Sequence, residues 1–288
     1  MEKIFNPLDL LPRLPLGDGV DTFIDWLLFW IRGITRFISD VLSTFMDYFA
    51  DALLWIPPFI LVLIFALLAY YFTKNYKVAL FSFIGLALLY NMELWSASIT
   101  TITMILISVL IAIVIGVPLG ILASKSDLFH QIITPVLDFM QTLPPFVYLI
   151  PAVFFFGTGV VAAMIATVVF AMPPVIRLTN LGIRLVNPEL IEAAAAFGTT
   201  YWQKLSKIQV PLAMPTIMAG VNQCIMLALS MVVIAAMIGG GGLGALVLRG
   251  INRLDIGLGF ESGLGVVIVA IILDRITQSS GQQEKEES

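Results

Sequence analysis

The chain has 288 residues, 59% of them apolar and 12% charged, with a net charge of −4 and a mean hydropathy of +1.01. A soluble domain carries about 25% charged residues, so this composition excludes a soluble enzyme and a disordered chain, and the lack of a basic excess excludes a nucleic-acid binder. One cysteine, Cys224, and one histidine, His130, rule out a disulfide framework, a thiolate metal site and a histidine-rich cluster. The predicted class is an all-α, polytopic membrane protein.

Residues 1–54 form an N-terminal arm. Its first stretch, MEKIFNPLDLLPRLPLGDG, places Pro and Asp where a signal peptide has its apolar segment. From 21 to 54 the polar residues Asp21, Asp25, Arg32, Arg36, Asp40, Ser43, Asp47 and Asp51 recur close to a 3.6-residue period among apolar and aromatic residues. That pattern predicts an amphipathic helix about 50 Å long. Either it packs on neighbouring spans, or it lies in the plane of the outer leaflet with Trp26, Trp30 and Trp55 in the headgroup layer.

A spanning helix needs about 20 apolar residues. Charge-free runs predict two additional spans within 55–92 (52–73 and 78–92) and a third within 94–124. Two more fall between 139 and 176, divided at Gly157-Thr158-Gly159, then one in 208–248 and a last one at 257–273. Seven spans place Lys74, Lys77, Lys125, Arg177, Arg184, Lys204, Lys207, Arg275 and Lys285 on one face, against Arg249 and Arg253 plus the arm on the other. The excess marks the first face as cytoplasmic, with the N-terminus outside and the C-terminus inside. The polar residues 278–288 are expected to be an unstructured cytoplasmic tail.

The long inner loop, about 177–211, interrupts a core expected over 93–277. Asn187 suits an N-cap, Pro188 the first helical position, and Glu189 the positive helix end. Four alanines at 193–196 favour helix, and Gly198 supplies a left-handed stop. These signals predict a short capped helix over 188–197. Thr199 or Thr200 then caps a second one, Tyr201–Lys207, running towards Pro211.

Glu192-Ala193-Ala194, three residues, Gly198, nine residues and Ile208-x-Val210-Pro211 resemble the EAA motif of permease subunits of ATP-binding-cassette (ABC) importers, EAA-x3-G-x9-I-x-L-P, with Val210 in place of Leu. PVLDFMQTLPPFVYLIP at 135–151, with MAGVNQ, ALSMVV, GGLG, VLRGINRLD and AIILDRITQ further on, is similar to permeases of glycine betaine/proline betaine importers; the likeness runs from about Leu94 to Gln278. It implies a type I importer permease fold and a homodimeric pathway. It also implies two cytoplasmic ATPases that bind ATP and Mg, an outer betaine-binding protein, and a coupling helix at Pro188–Gly198 that docks on the ATPase. This chain needs no cofactor in that scheme and no catalytic or metal-binding residue, and the resemblance leaves its substrate-contacting residues unidentified.

Gly239, Gly240, Gly241, Gly242 and Gly244 form either the hinge of a gate or the break that ends one span and starts a re-entrant piece. Pro144-Pro145, Pro151 and Pro173-Pro174 give either pathway-lining broken helices or simple kinks. Glu93 and Glu261 fall at the outer boundary, and His130 reads as a solvated loop histidine. Asn222 and Gln223 either bond across a dimer or face the pathway. No P-loop, HExxH or GxSxG sequence occurs. The spans lack the deep carboxylates of a secondary transporter, and a scaffold would not need the capped inner helix. The residues thus point to an osmoprotective importer permease of a bacterial inner membrane, with proline betaine, carnitine and choline as alternative cargoes.

Overall fold

The computed structural model describes residues 16–286, so the first 15 residues of the arm lie outside it. Helix α1 (Leu16–Trp55) covers the predicted amphipathic segment and begins a turn earlier. After Ile56-Pro57 the chain turns by 103° into α2 (Pro58–Thr73). Pro57 cannot continue a helix, whereas Pro58 suits the first turn of the next. Helix α1 packs on its neighbours and keeps an exposed aromatic face. It touches α4, α6 and α7 along a stripe that buries Thr35 and Met46, and leaves Trp30, Phe37 and Tyr48 two-thirds or more exposed (67, 69 and 75%).

Helices α2 and α3 (Tyr76–Asn91) form an antiparallel hairpin through Lys74, in left-handed conformation at φ 50°, and Asn75, whose side chain accepts the Lys77 N–H. Each has 16 residues, about 24 Å against a hydrocarbon core of about 30 Å. Next comes α4 (Trp95–Lys125), the long axis of the molecule.

The span expected over 139–156 is not one helix. Helix α5 (Asp127–Thr142) stops at Leu143, pushed to extended backbone by the proline that follows. A 3-10 turn, Pro145–Tyr148, and the eight-residue α6 (Leu149–Phe156) then leave at 111° to α5. The Tyr148 hydroxyl donates back to the Met140 carbonyl and holds the corner.

Pro173-Pro174, by contrast, end nothing: α7 (Val160–Ala171) and α8 (Pro173–Arg184) join through helical Met172 into a single run. Among the described residues four helical runs are long and apolar enough to cross a membrane, or six if each bent pair is one span. The short α2 and α3 and the broken α5–α6 pair keep length and apolarity alone from reaching seven.

After the capped helix α9 (Pro188–Ala196), α10 (Tyr201–Lys204) does not stop at Lys207. A π-helical stretch, Leu205–Gln209, carries it into α11 (Val210–Ala235), because the wider turn absorbs Pro211, which lacks an N–H and would crowd the preceding carbonyls. A 3-10 turn, Ala236–Ile238, leads to α12 (Gly242–Arg253) and α13 (Ile256–Glu286). The tail expected to be unstructured is therefore helical to Glu286. Gln, Glu and Lys are good helix formers, and they extend a helix already nucleated in the span.

The core lies where α4, α8 and α11 meet, and small residues make it possible. A side chain on Gly120 would stand 2.7 Å from the Ile176 carbonyl of α8, and one on Gly220 3.0 Å from the Pro174 carbonyl.

Candidate functional site

The two motif regions sit at opposite ends of α4. Near its start, the Thr101 hydroxyl accepts the Leu243 N–H at 2.8 Å. At its end, the Lys125 ammonium lies 3.2 Å from the centre of the Tyr201 ring and 5.9 Å from that of Trp202. The 24 residues between Thr101 and Lys125 correspond to about 36 Å of helix, slightly more than a bilayer's hydrocarbon thickness.

At the Lys125 end stands the knob. The Asn187 side chain accepts the Glu189 N–H at 2.9 Å, and Pro188 occupies the first turn of α9. Helix α9 closes with a Schellman motif: Gly198 N–H donates to the Ala195 carbonyl at 3.0 Å and Thr199 N–H to the Ala194 carbonyl at 3.2 Å. Gly198 holds φ 72° with open space around it, so backbone conformation selects glycine here, not crowding. Of the motif triplet, Glu192 and Ala193 are exposed and Ala194 is buried. Glu189 and Leu190 face outward too, and Phe197 is 89% exposed.

Thr200 caps α10 by a full capping box with Gln203. Leu205 then packs against Ile183, Ala213 and Ile217, with half-buried Ile208 nearby and Pro211 at the surface. The motif is thus one mechanical unit: an exposed rigid helix, a glycine stop, and a buried root in α8 and α11.

At the Thr101 end the glycines are packed, not loose. Gly239, Gly241 and Gly242 have φ of 94°, 73° and 62°. A Cβ on Gly242 would fall 2.3 Å from the Thr101 hydroxyl, and one on Gly244 2.6 Å from the Val232 carbonyl. Gly240 abuts Ala163 and the Ala235 carbonyl, and Gly159 N–H donates to the Ile238 carbonyl at 2.7 Å. The segment ends one span, starts α12 and is pinned to the turn before α7.

Of the other residues singled out, Glu93 is an exposed turn residue at φ 59°, and Glu261 is exposed on α13. Asn222 has a buried amide oxygen without a hydrogen-bond partner, while Gln223 is exposed on the next face of α11. His130 is not a solvated loop residue. It lies half-buried on α5 with its Nδ1 2.9 Å from the Asn180 amide nitrogen, because Ser126 caps α5 immediately after α4 and leaves no loop there. Sequence reading missed Arg184, Asn180 and Asp127, which join at this end. Arg184 and Asp127 are 57 residues apart, too far for any local pattern to pair them.

Residues 116–279 match the family described as binding-protein-dependent transport system inner membrane component. The chain is 49% identical over 278 residues, covering 96% of it and 98% of the relative, to the glycine betaine transport system permease protein OpuAB of Bacillus subtilis (strain 168). It is 48% identical over 280 residues, 96% of this chain and 99% of the relative, to the glycine betaine/carnitine transport permease protein GbuB of Listeria monocytogenes serotype 1/2a (strain 10403S). Among solved structures, a chain of the inward-facing MetNI methionine ABC transporter superposes with a TM-score of 0.58 at 21% identity, covering 68% of this chain and 96% of that one.

Proposed function

This chain belongs to the family of binding-protein-dependent transport system inner membrane components, and from that premise we propose that it is the permease subunit of a bacterial ATP-driven importer of glycine betaine, with the N-terminus outside and the C-terminus in the cytoplasm. The near-complete alignment with a betaine permease at 49% identity carries the cargo. The exposed, doubly capped α9 carries the mechanism. Two copies enclose one pathway in the multi-pass inner-membrane complex, and two cytoplasmic ATPases bind ATP and Mg. Each ATPase seats on Glu189, Glu192, Ala193 and Phe197 of one α9. Closure of the ATPases drives α9 as a rigid body, and its buried root at Leu205 passes the movement to α8 and α11. An outer binding protein delivers the ligand; the permease performs no chemistry. Accumulation of a compatible solute protects the cell against osmotic stress.

The name of the Listeria relative favours carnitine as a second cargo. Both readings are tested by co-reconstituting the permease with the ATPase and binding protein that co-purify with it. Labelled glycine betaine should accumulate only with ATP, and unlabelled carnitine, proline betaine and choline should rank as competitors. Uptake without nucleotide would overturn the reading in favour of a secondary transporter.

A further inference from the structure

Helix α5 is attached to the rest of the molecule in an unusual way. It buries a single residue, Leu137, and a cavity of about 310 Å³ separates much of it from α8. Polar contacts in three rungs bridge the gap. Arg177 pairs with Asp138, His130 bonds Asn180, and Arg184 reaches Asp127 at 2.8 Å.

The last two rungs form one connected network. The Arg184 guanidinium donates to the Ala123 carbonyl at 2.9 Å, to the Asp127 carboxylate, and to the Asn180 amide oxygen at 2.9 Å. Ala123 lies in the last turn of α4, where carbonyls lack intrahelical partners, and Arg184 itself ends α8. The cation therefore sits at the C-terminal ends of α4 and α8, where positive charge is favoured, and pairs with Asp127, whose carboxylate suits the N-terminus of α5. Because arginine only donates, it fixes the Asn180 oxygen towards itself and turns the amide NH₂ towards His130. His130 Nδ1 must then accept, which sets the imidazole tautomer. A single planar fork orders three helices.

Arg184 is also four positions before Pro188, the start of α9. We propose that Arg184, Asn180 and His130 form a clasp that makes α5 travel with α8 when α9 is pushed, so that force from the ATPase reaches the broken α5–α6 corner at Leu143-Pro144. Arg184 and Asn180 are positioning residues for transport in this scheme. The inference rests on the functional reading above.

The test uses the reconstituted complex and compares substrate moved with ATP hydrolysed. Arg184→Gln should lower uptake about tenfold or more, yet leave binding-protein-stimulated hydrolysis within about twofold, because the lost bonds are charge-assisted and lie between the knob and the pathway. Arg184→Lys should fall between, since an ammonium can hold Asp127 but cannot serve three acceptors as a planar fork. In a Cys224→Ala background, a short thiol-reactive linker joining Asp127→Cys and Arg184→Cys should restore uptake without changing hydrolysis, because it ties α5 to α8 by another chemistry.

Normal coupling in Arg184→Gln, or an equal loss of uptake and hydrolysis in both Arg184 variants with no recovery on linking, would overturn the clasp. Failure of the unaltered complex to take up betaine with ATP would overturn the functional reading itself, and the clasp with it.

Discussion

The two ends of α4 are built from different materials. At the Thr101 end, backbone meets backbone: Gly239, Gly240, Gly242 and Gly244 approach Gly159, Ala235, Val232 and the Thr101 hydroxyl so closely that an added Cβ would fall within 3.2 Å of a neighbour. At the Lys125 end, long polar side chains span gaps. Asn180 and His130 tie α5 to α8 and Lys125 ties α4 to α10 where little surface is packed, Arg184 adds bonds from α8 to α4 and α5, and α9 projects with most of its residues exposed. Close packing resists displacement steeply, since any overlap is paid at once in repulsion, whereas hydrogen-bonded side chains can follow a moving neighbour. The contrast fits a pivot at the glycine end and a stroke at the knob end, with the small size of the glycines serving contact.

If this division is right, substitution at the pivot should destroy the fold and substitution at the knob should spare it. Gly242→Val is the severest case. It combines φ 62°, which a β-branched residue strongly resists, with a Cβ 2.3 Å from Thr101 Oγ1. We expect a loss of about 3 kcal/mol or more, read as a collapse of membrane-inserted protein and of thermal stability in detergent. Gly198→Pro should do the opposite. Proline cannot adopt φ 72°, so the Schellman stop is lost and α9 loses its fixed direction, abolishing uptake. Gly198 is exposed on the projecting knob and lies outside the packed core, so membrane insertion and the melting temperature should stay near those of the unaltered chain.

What the sequence made legible follows the same division. The knob is a local object, and capping chemistry is local. Asn187, Pro188 and Gly198 declared a helix over 188–197, and the observed bounds and φ agree. Charge-free runs located the four long apolar helical runs, since hydropathy needs no neighbours to be read. Three features were opaque because each depends on what lies across space. The break at Pro144-Pro145 and the continuity at Pro173-Pro174 involve the same dipeptide, and only the surrounding helices decide which one bends. The π turn at Leu205–Gln209 becomes necessary once α10 and α11 must run on as one helix. The Arg184 network joins Arg184, which the sequence offered only as a charge for topology, to His130, read as a loop residue, and to Asn180 and Asp127, which carried no local signal.

A smaller effect probes the knob's surface. Phe197 is 89% exposed at the C-terminal end of the projecting α9, and an exposed aromatic there is suited to serve as a docking anchor. Phe197→Ala should leave detergent stability unchanged and weaken binding of the ATPase by about tenfold, corresponding to about 1.4 kcal/mol. The measurement is a titration of the purified permease with its ATPase. Ala193→Trp adds bulk on the exposed side of α9 without touching this chain's core, and it should block the same association by occupying the surface the partner needs. Unchanged binding by both variants would move the ATPase contact away from α9.

The smallest expected effect tests whether the stroke end is held by side chains at all. Lys125 ends α4 with its ammonium over the Tyr201 ring, and its positive charge also suits a helix C-terminus. A cation–π contact at such an exposed position contributes about 0.5–1 kcal/mol. Lys125→Met keeps the apolar stem and removes both electrostatic contributions, so the expected loss is of that size. The global melting temperature should barely move, because the core at Gly120 and Gly220 does not depend on this contact. Local opening is the sensitive readout. Amide exchange in α10 should accelerate by about two- to fivefold, the factor corresponding to that energy, while the glycine segment stays as protected as before. Acceleration at both ends of α4 would mean that they move as one body, and the distinction between pivot and stroke would fail.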